Sequence, residues 1–342
     1  IMDGTTEKLV FFVGAGYDNN EDRRWGNTQG FPTSTVSSPV NTVSDTDTTI
    51  LTDDGNTGVA DAGVTSSSGG AQLNPKGRGL YVIEVATLTK DGNGDITPSF
   101  TNSGSFVWKY TYADDTTNMT YSIPSDLAVL DWDGDGFADR VYAGDTGGQM
   151  WRFDLPIDRT TTPDAPNGDK TAWSAKIIFK TNPGNTGTVA SDGTVSSSVD
   201  SSIGKKIFYR PAVARVGNHA TLYFGTGDRE HPLNLASADR MYMLFDRGQG
   251  AAVDNVNTAF DETSIINEGA MVDVTGNELQ NGTTDQVTGV LNELYDPDNF
   301  GWYIRLENNG EKMLAPPVVF FGEVFYTTYA PLVGAVAGCE VG

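Results

Sequence analysis

Four aspartates within nine residues are the strongest chemical signal in this sequence. They are Asp131, Asp133, Asp135 and Asp139, in the run DWDGDGFAD. Alternate residues of a tightly wound loop point inward, and converging carboxylates repel one another unless a cation lies among them. Oxygen ligands at loop positions 1, 3, 5 and 9, with the backbone carbonyl of Phe137 at position 7, predict a calcium site.

The residues around this loop distinguish it from a helical EF-hand. Tyr142 stands at position 12, where an EF-hand carries a bidentate Glu, so Asp139 is expected to take that role. The flanking runs SDLAVL and RVYAG are strand-like, which predicts a loop between two strands, as in propeller blades of the integrin type. Gly136 permits the sharp turn, and the absence of nearby His or Cys argues against zinc. The alternative is a solvated acidic turn without a metal.

A second Asp-Gly segment resembles the first only in part. It runs from Asp91 through Asn93 to Asp95, but Ser99 occupies its position 9. Without a carboxylate there, the segment predicts a hairpin turn in preference to a second metal site.

The sequence offers little for catalysis. Its only histidines are His219 and His231, and neither has a metal-ligand spacing. Asp228, Glu230 and His231 form a small polar group that we interpret as a surface turn. No nucleophile elbow, phosphate-binding loop or dinucleotide fingerprint is present, and the six Trp residues follow no repeat that would indicate a quinone cofactor. We therefore expect that the protein is not an enzyme and that Ca²⁺ is its one cofactor.

Short runs of β-branched and aromatic residues, bounded by Gly, Asn, Asp or Pro, predict many strands. These runs are Lys8 to Gly16, Gly79 to Thr87, Ser125 to Leu130, Arg140 to Gly144, Gln149 to Leu155, Pro211 to Arg215, Ala220 to Gly227, Met241 to Asp246, Trp302 to Leu306, Pro317 to Phe321 and Glu323 to Tyr329. An apolar strand ending in glycine, a turn and an aromatic strand recur about three times. This pattern favours an all-β propeller over an antiparallel sandwich.

Polar, low-complexity stretches separate the strand-like units. We predict insertions at about 33–75, 182–203 and 261–295 within one propeller domain spanning 1–342. The net charge of −23 and the pI of about 4.2 argue against nucleic-acid partners.

The ends of the chain suggest a fragment of a larger protein. The sequence begins at Ile1 without a signal peptide, and it contains no apolar run long enough to span a bilayer, so we expect no direct membrane insertion. Cys339 is the only cysteine, so it either pairs outside this chain or remains a thiol.

Four blocks of sequence resemble the PilY/PilC family of type IV pilus tip and biogenesis proteins. The central block is LAVLDWDGDGFADRVYAGDTGGQMWRFDL. FFVGAGYDN with GRGLYVIEVAT is similar to the preceding blade of the family, and FYRPAVARVGNHATLYFGTGDRE with DRMYMLFD to the next. GWYIRLENNGEKMLAPPVVFFGEVFYTTYAP resembles its late segment. The blocks follow the family order and cover about half of the chain.

The resemblance implies a modified seven-bladed β-propeller, incomplete in this chain, from the C-terminal part of a larger protein with an N-terminal adhesin-like module. It implies a calcium-binding pilus tip protein, exposed at the cell surface, that supports assembly, opposes retraction and contributes to adhesion. Its implied partners are minor pilins or the tip complex and a host-cell or surface receptor. Two alternatives remain. One is a secreted propeller enzyme of quinoprotein or lyase type, which would use Asp228, Arg229 and His231. The other is a calcium-dependent carbohydrate-binding propeller.

Overall fold

Three mainly antiparallel sheets and a terminal hairpin make up most of the described chain. A computed structural model describes residues 1–17, 77–119, 121–124, 126–158, 167–181, 205–216, 219–230, 232–233, 239–246, 265–296 and 299–331. The predicted insertions at 33–75 and 182–203 lie outside these residues, as do His231 and Cys339.

The first sheet has five strands. They are β1 (Met2–Asp3), β2 (Thr6–Gly14), β3 (Gly79–Lys90), β4 (Ile96–Ser99) and β5 (Phe106–Thr111). β1, β2 and β3 are hydrogen-bonded in that order, and the long strand β3 pairs with both β5 and β4 along its other edge. Buried residues alternate with half-exposed ones along β3, as expected for a strand with one face in a core.

The second sheet has four antiparallel strands. They are hydrogen-bonded in the order β11 (Ser174–Lys180), β8 (Gln149–Asp154), β7 (Arg140–Gly144) and β6 (Ala128–Leu130). A small pair, β9 (Ile157–Asp158) and β10 (Asn167–Gly168), precedes β11 (Ser174–Lys180). Every residue of β7 and β8 is buried, because this sheet is covered on both faces.

The third sheet repeats the second. β12 (Ala212–Val216), β13 (His219–Gly225), β14 (Arg240–Asp246) and β16 (Gly301–Arg305) are antiparallel neighbours, and β15 (Val272–Asp273) adds a parallel edge to β16.

Two helices lie between β15 and β16, within the segment 261–295 that the sequence predicts as a polar insertion. They are α1 (Glu278–Asn281) and α2 (Thr284–Leu294). Thr283 caps α2 in a capping box with Gln286, so the described part of this segment has regular structure of its own.

The last described residues form two short antiparallel pairs. β17 (Lys312–Met313) pairs with β20 (Thr328–Tyr329), and β18 (Val318–Phe320) pairs with β19 (Glu323–Phe325). Within the described residues the sheets do not close into a ring. The predicted all-β class is confirmed, and the open arrangement of the described sheets agrees with an incomplete propeller.

Two apolar cores hold the sheets together. The first contains Leu80 and Val82 of β3 with Val141 and Phe153 of the second sheet. The second contains residues from the opposite face of the second sheet and from the third sheet, including Tyr142, Met150, Phe179, Leu222 and Tyr242. Because side chains of a strand alternate between faces, neighbouring residues of β7 serve different cores. Trp151 is fully buried in the first core.

The second strand of each sheet ends in a glycine. The segment that leads to the next sheet packs directly against this glycine. A Cβ on Gly144 would lie 2.2 Å from Ile207 Cγ2, and one on Gly225 would lie 2.0 Å from Met313 Sδ. Gly14 stands in the same relation to Ile123. The repeated glycine of the sequence pattern is therefore required by close packing between consecutive sheets.

Candidate metal centre

The aspartate-rich loop connects β6 to β7 in the second sheet. Leu130 pairs with Arg140 at the end of the ladder, so nine residues, 131–139, form the connection. The Asp139 N–H donates to the Leu130 carbonyl over 2.9 Å, and the Asp139 carbonyl accepts from the Leu155 N–H over 2.7 Å. These bonds fix the end of the loop to the sheet, as expected for a loop between two strands.

Three of the predicted ligands come together. One carboxylate oxygen from each of Asp131, Asp133 and Asp139 lies within 4.8 Å of the others. Two oxygens on opposite sides of a calcium ion are about 4.6–5.2 Å apart, so this group fits one such ion. Asp131 and Asp133 are exposed, whereas Asp139 is 4% exposed. An all-oxygen set with an open side suits a hard cation.

Backbone N–H groups hold the first aspartate in place. Asp131 Oδ1 accepts from the Gly134 N–H over 2.7 Å, and Asp131 Oδ2 accepts from the Gly136 N–H over 2.8 Å. Gly134 and Gly136 have φ angles of 79° and 91°, in the left-handed region that favours glycine. Both glycines are therefore needed for the turn that aims these N–H groups at Asp131.

The two remaining predicted ligands are arranged differently. Asp135 Oδ1 accepts from the Phe137 N–H over 2.7 Å, and the Asp135 carboxylate is not part of the three-aspartate group. The ligand roles of Asp135 and of the Phe137 carbonyl stay predictions.

Electrostatics at the centre favour a bound cation. Burial raises the pKa of Asp139 to about 6, and the Asp133 and Asp131 carboxylates raise it too, against the lowering effect of the Trp132 N–H. This N–H donates to Asp139 Oδ2 over 2.6 Å. A cation between the carboxylates would remove the repulsion that contributes to this shift.

Three residues around the loop were not predicted. The Trp132 ring is 7% exposed and lies 4.4 Å from the Arg215 guanidinium and 5.5 Å from that of Arg140, measured from the ring centroid to Cζ. A Trp between two loop aspartates was a visible signal in the sequence. Arg215 gave none, because it lies on β12 of the next sheet, 83 residues further along the chain.

The other singled-out residues have structural roles. Tyr142, at loop position 12, is fully buried, and its hydroxyl donates to Asp246 Oδ2 over 2.8 Å. Asp91 lies in the turn between β3 and β4, which confirms the predicted hairpin. Asp228 forms a buried ion pair with Lys206 at 2.8 Å, whereas Glu230 lies beside Arg229 on the surface.

Comparison with known proteins identifies the family. The sequence profile of the PilY1 beta-propeller domain matches residues 96–267, which include both strands that flank the metal loop. The chain belongs to this family. The predicted resemblance and the predicted propeller class are therefore confirmed. The second sheet lies wholly within the matched residues, and we refer to the three described sheets as the first, second and third blades.

Two relatives of the PilY1 family are similar over longer stretches. The "Type IV pilus biogenesis factor PilY1 homolog" of Xylella fastidiosa is 24% identical over 237 residues, which cover 67% of this chain and 14% of the relative. The crystal structure of the Pseudomonas aeruginosa PilY1 C-terminal domain is 16% identical, with a TM-score of 0.43, over 75% of this chain and 54% of that one. This chain thus spans a small part of the full-length relative. None of the helices in its described residues has the length and hydropathy to cross a membrane.

Proposed function

We propose that this chain is the propeller part of a type IV pilus biogenesis factor whose second blade binds one calcium ion. The observation that carries the proposal is the convergence of Asp131, Asp133 and Asp139 at the β6–β7 turn of a PilY1-family blade. The relative from Xylella fastidiosa, a type IV pilus biogenesis factor by its name, supports the pilus role. The role is non-enzymatic.

The loop would act as an electrostatic brace. Without a cation, three carboxylates repel one another beside the buried end of β7. Asp131, Asp133 and Asp139 would hold the ion, with Asp135 and the Phe137 carbonyl completing the set. A bound divalent cation supplies the charge that neutralises this cluster and fixes the blade edge.

The finer roles follow from this brace. At the cell surface, at the pilus tip and in contact with minor pilins, the calcium-loaded propeller would support assembly, oppose retraction and contribute to adhesion to a host-cell or abiotic surface. The large negative charge of the chain suits an exposed, ion-rich location.

Asp139→Asn tests the site with little change in shape. The amide oxygen can still accept from the Trp132 N–H, but the charge that attracts the cation is gone. We expect the wild-type chain to bind one Ca²⁺ in titration calorimetry and the variant to bind it at least about tenfold more weakly, or about 1.4 kcal/mol.

Asp285→Asn is the matched control, because it removes the same charge from exposed Asp285 at the start of α2. Equal calcium affinity in all three proteins would overturn the ligand assignment. In cells, Asp139→Asn in the full-length protein should change pilus number or twitching. Unchanged piliation and motility despite lost binding would overturn the regulatory role and leave the site itself in place.

A further inference from the structure

Trp132 is held at both of its peptide groups, although it lies between two exposed aspartates. Its N–H donates to Asp139 Oδ2 over 2.6 Å, and its carbonyl accepts from Arg215 Nη1 over 3.2 Å. The first bond ties Trp132 to a predicted metal ligand, and the second ties it to β12 of the third sheet. One loop residue thus links the metal centre to the neighbouring blade.

The ring of Trp132 strengthens the same link. Arg215 Cζ lies 4.4 Å from the ring centroid, inside the distance at which a guanidinium is attracted to an indole face. The buried ring also belongs to the core between the second and third sheets, and Ala128 and Leu130 of β6 pack against that core. Arg215 itself is exposed, so its guanidinium covers the ring from the solvent side.

We infer that Arg215 is a positioning residue of the metal loop: by holding the carbonyl and ring of Trp132, it sets the loop geometry and couples cation binding to contact between the second and third blades. This inference rests on the calcium site proposed above. Coupling is reciprocal, so calcium must stabilise the Arg215–Trp132 contact as much as that contact favours calcium.

Replacement of Arg215 distinguishes a positioning role from a purely electrostatic one, because the two roles change calcium affinity in opposite directions. Arg215 is a cation near a cation site, so its charge alone would weaken calcium binding, and its removal would tighten it. Positioning predicts the reverse, because loss of the contact leaves Trp132 and the loop free to adopt other conformations. The two mechanisms therefore change calcium affinity in opposite directions.

Calcium titration of Arg215→Ala tests the inference, with the wild-type 342-residue chain and Arg305→Ala as references. Arg305 lies on β16 of the same sheet as Arg215 and forms an ion pair with Asp273, so its replacement removes the same charge without touching the loop. We expect Arg215→Ala to bind Ca²⁺ about five- to tenfold more weakly than the wild type. Arg305→Ala should bind it as the wild type does or slightly more tightly.

Arg215→Lys keeps the charge but loses the planar guanidinium, so we expect an intermediate affinity. Affinities are measured well below the melting temperature of each metal-free protein, so that lost stability alone does not change them. The melting temperature should also rise less on calcium addition for Arg215→Ala than for the wild type.

Wild-type binding with unchanged or tighter binding by Arg215→Ala would overturn the positioning role alone. If the wild-type chain bound calcium no better than Asp139→Asn does, the proposed calcium site would fail, and this inference would fail with it. Should Arg215→Ala not fold, the inference is decided by Arg215→Lys, where an affinity equal to that of the wild type would contradict it.

Discussion

The hairpin β6–β7 of the second blade and the hairpin β12–β13 of the third blade have the same place in their sheets but very different turns. Nine residues, 131–139, separate the last pair of the first hairpin. In the second, Val216 pairs with His219, so the paired residues are three positions apart in the sequence. The sheet order and the strand directions are the same in both. The metal loop is therefore an addition to a turn that the blade itself does not need.

The turn can vary because the blades are joined elsewhere. Arg152 of β8 donates from Nη1 to Asp246 Oδ1 of β14 over 2.7 Å, and the Tyr142 hydroxyl donates to the other oxygen of Asp246. All three side chains are buried. Together with the glycine contacts at the strand ends, this network forms a frame that both hairpins share. The aspartate-rich loop, with its proposed cation site, is thus attached to a frame that is already fixed.

Removing Asp246 should produce the largest effect, since it breaks this frame. Asp246→Ala leaves the Arg152 guanidinium buried with Asp154 as its remaining acidic partner, at 3.0 Å. Removal of one partner of a buried pair costs about 3–5 kcal/mol of unfolding free energy, and Asp154 places our expectation near the lower figure. Urea unfolding followed by circular dichroism measures it.

Asp246→Asn is the control for Asp246→Ala, because it keeps an acceptor for Arg152 or Tyr142 and should cost less. A loss below about 1 kcal/mol for Asp246→Ala would mean that the ion pair contributes little, as many surface pairs do. The two hairpins would then need another common frame.

The glycines at the ends of β7 and β13 should differ in their tolerance of a methyl group. A Cβ on Gly144 meets the β-branched side chain of Ile207, which is stiff, whereas one on Gly225 meets the flexible Met313. Overpacking costs about 1–3 kcal/mol, so we expect Gly144→Ala near the upper limit and Gly225→Ala near the lower one. Urea unfolding in excess EDTA compares them, and the opposite order would show that side-chain stiffness does not control this packing.

Much of this frame could be predicted from the sequence, because the inner strands are locally apolar. The run Gln149 to Leu155 predicts β8 to within one residue, and Arg140 to Gly144 predicts β7 in full. β5 and β11 were missed, since Lys109 and Lys176 interrupt their apolar runs. Helix α2 was also missed, although its capping residues were visible.

The aspartate-rich loop, residues 131–139, was likewise predictable only in part. The spacing of Asp131, Asp133 and Asp139 within a tight turn is a local property, so sequence reasoning could place them together. Arg215 could not be found, because its contact with Trp132 depends on how two separate blades pack. Contacts between sheets, including that of Gly144 with Ile207, leave no local pattern beyond the glycine itself.

Within the loop, Gly136 should show a moderate cost of a different origin from that of Gly144. No atom lies within 4 Å of a Cβ placed on Gly136, so only its φ of 91° opposes a side chain. Gly136→Ala should therefore lose about 1–2 kcal/mol in EDTA, the cost of a left-handed conformation for an L-residue. Gly92→Ala, in open space and without a left-handed φ, is the control and should be neutral. Equal stabilities for the two variants would show that the left-handed φ of Gly136 does not make an alanine costly at this position.

The smallest effect is expected at Asp91, whose turn shares the local geometry of the metal loop. Asp91 Oδ1 accepts from the N–H groups of Asn93 and Asp95 over 2.8 and 2.9 Å, much as Asp131 accepts from its own loop. These bonds lower the pKa of Asp91, so the carboxylate is charged at neutral pH. Asp91→Asn should nevertheless leave the number of bound calcium ions and their affinity unchanged in calorimetry, because Asp91 belongs to no group of converging carboxylates in the described residues. Loss of a bound ion in this variant would show that an Asp-Gly turn is sufficient for binding. The burial of Asp139 would then no longer distinguish the proposed cation site in the β6–β7 loop from the Asp91 turn.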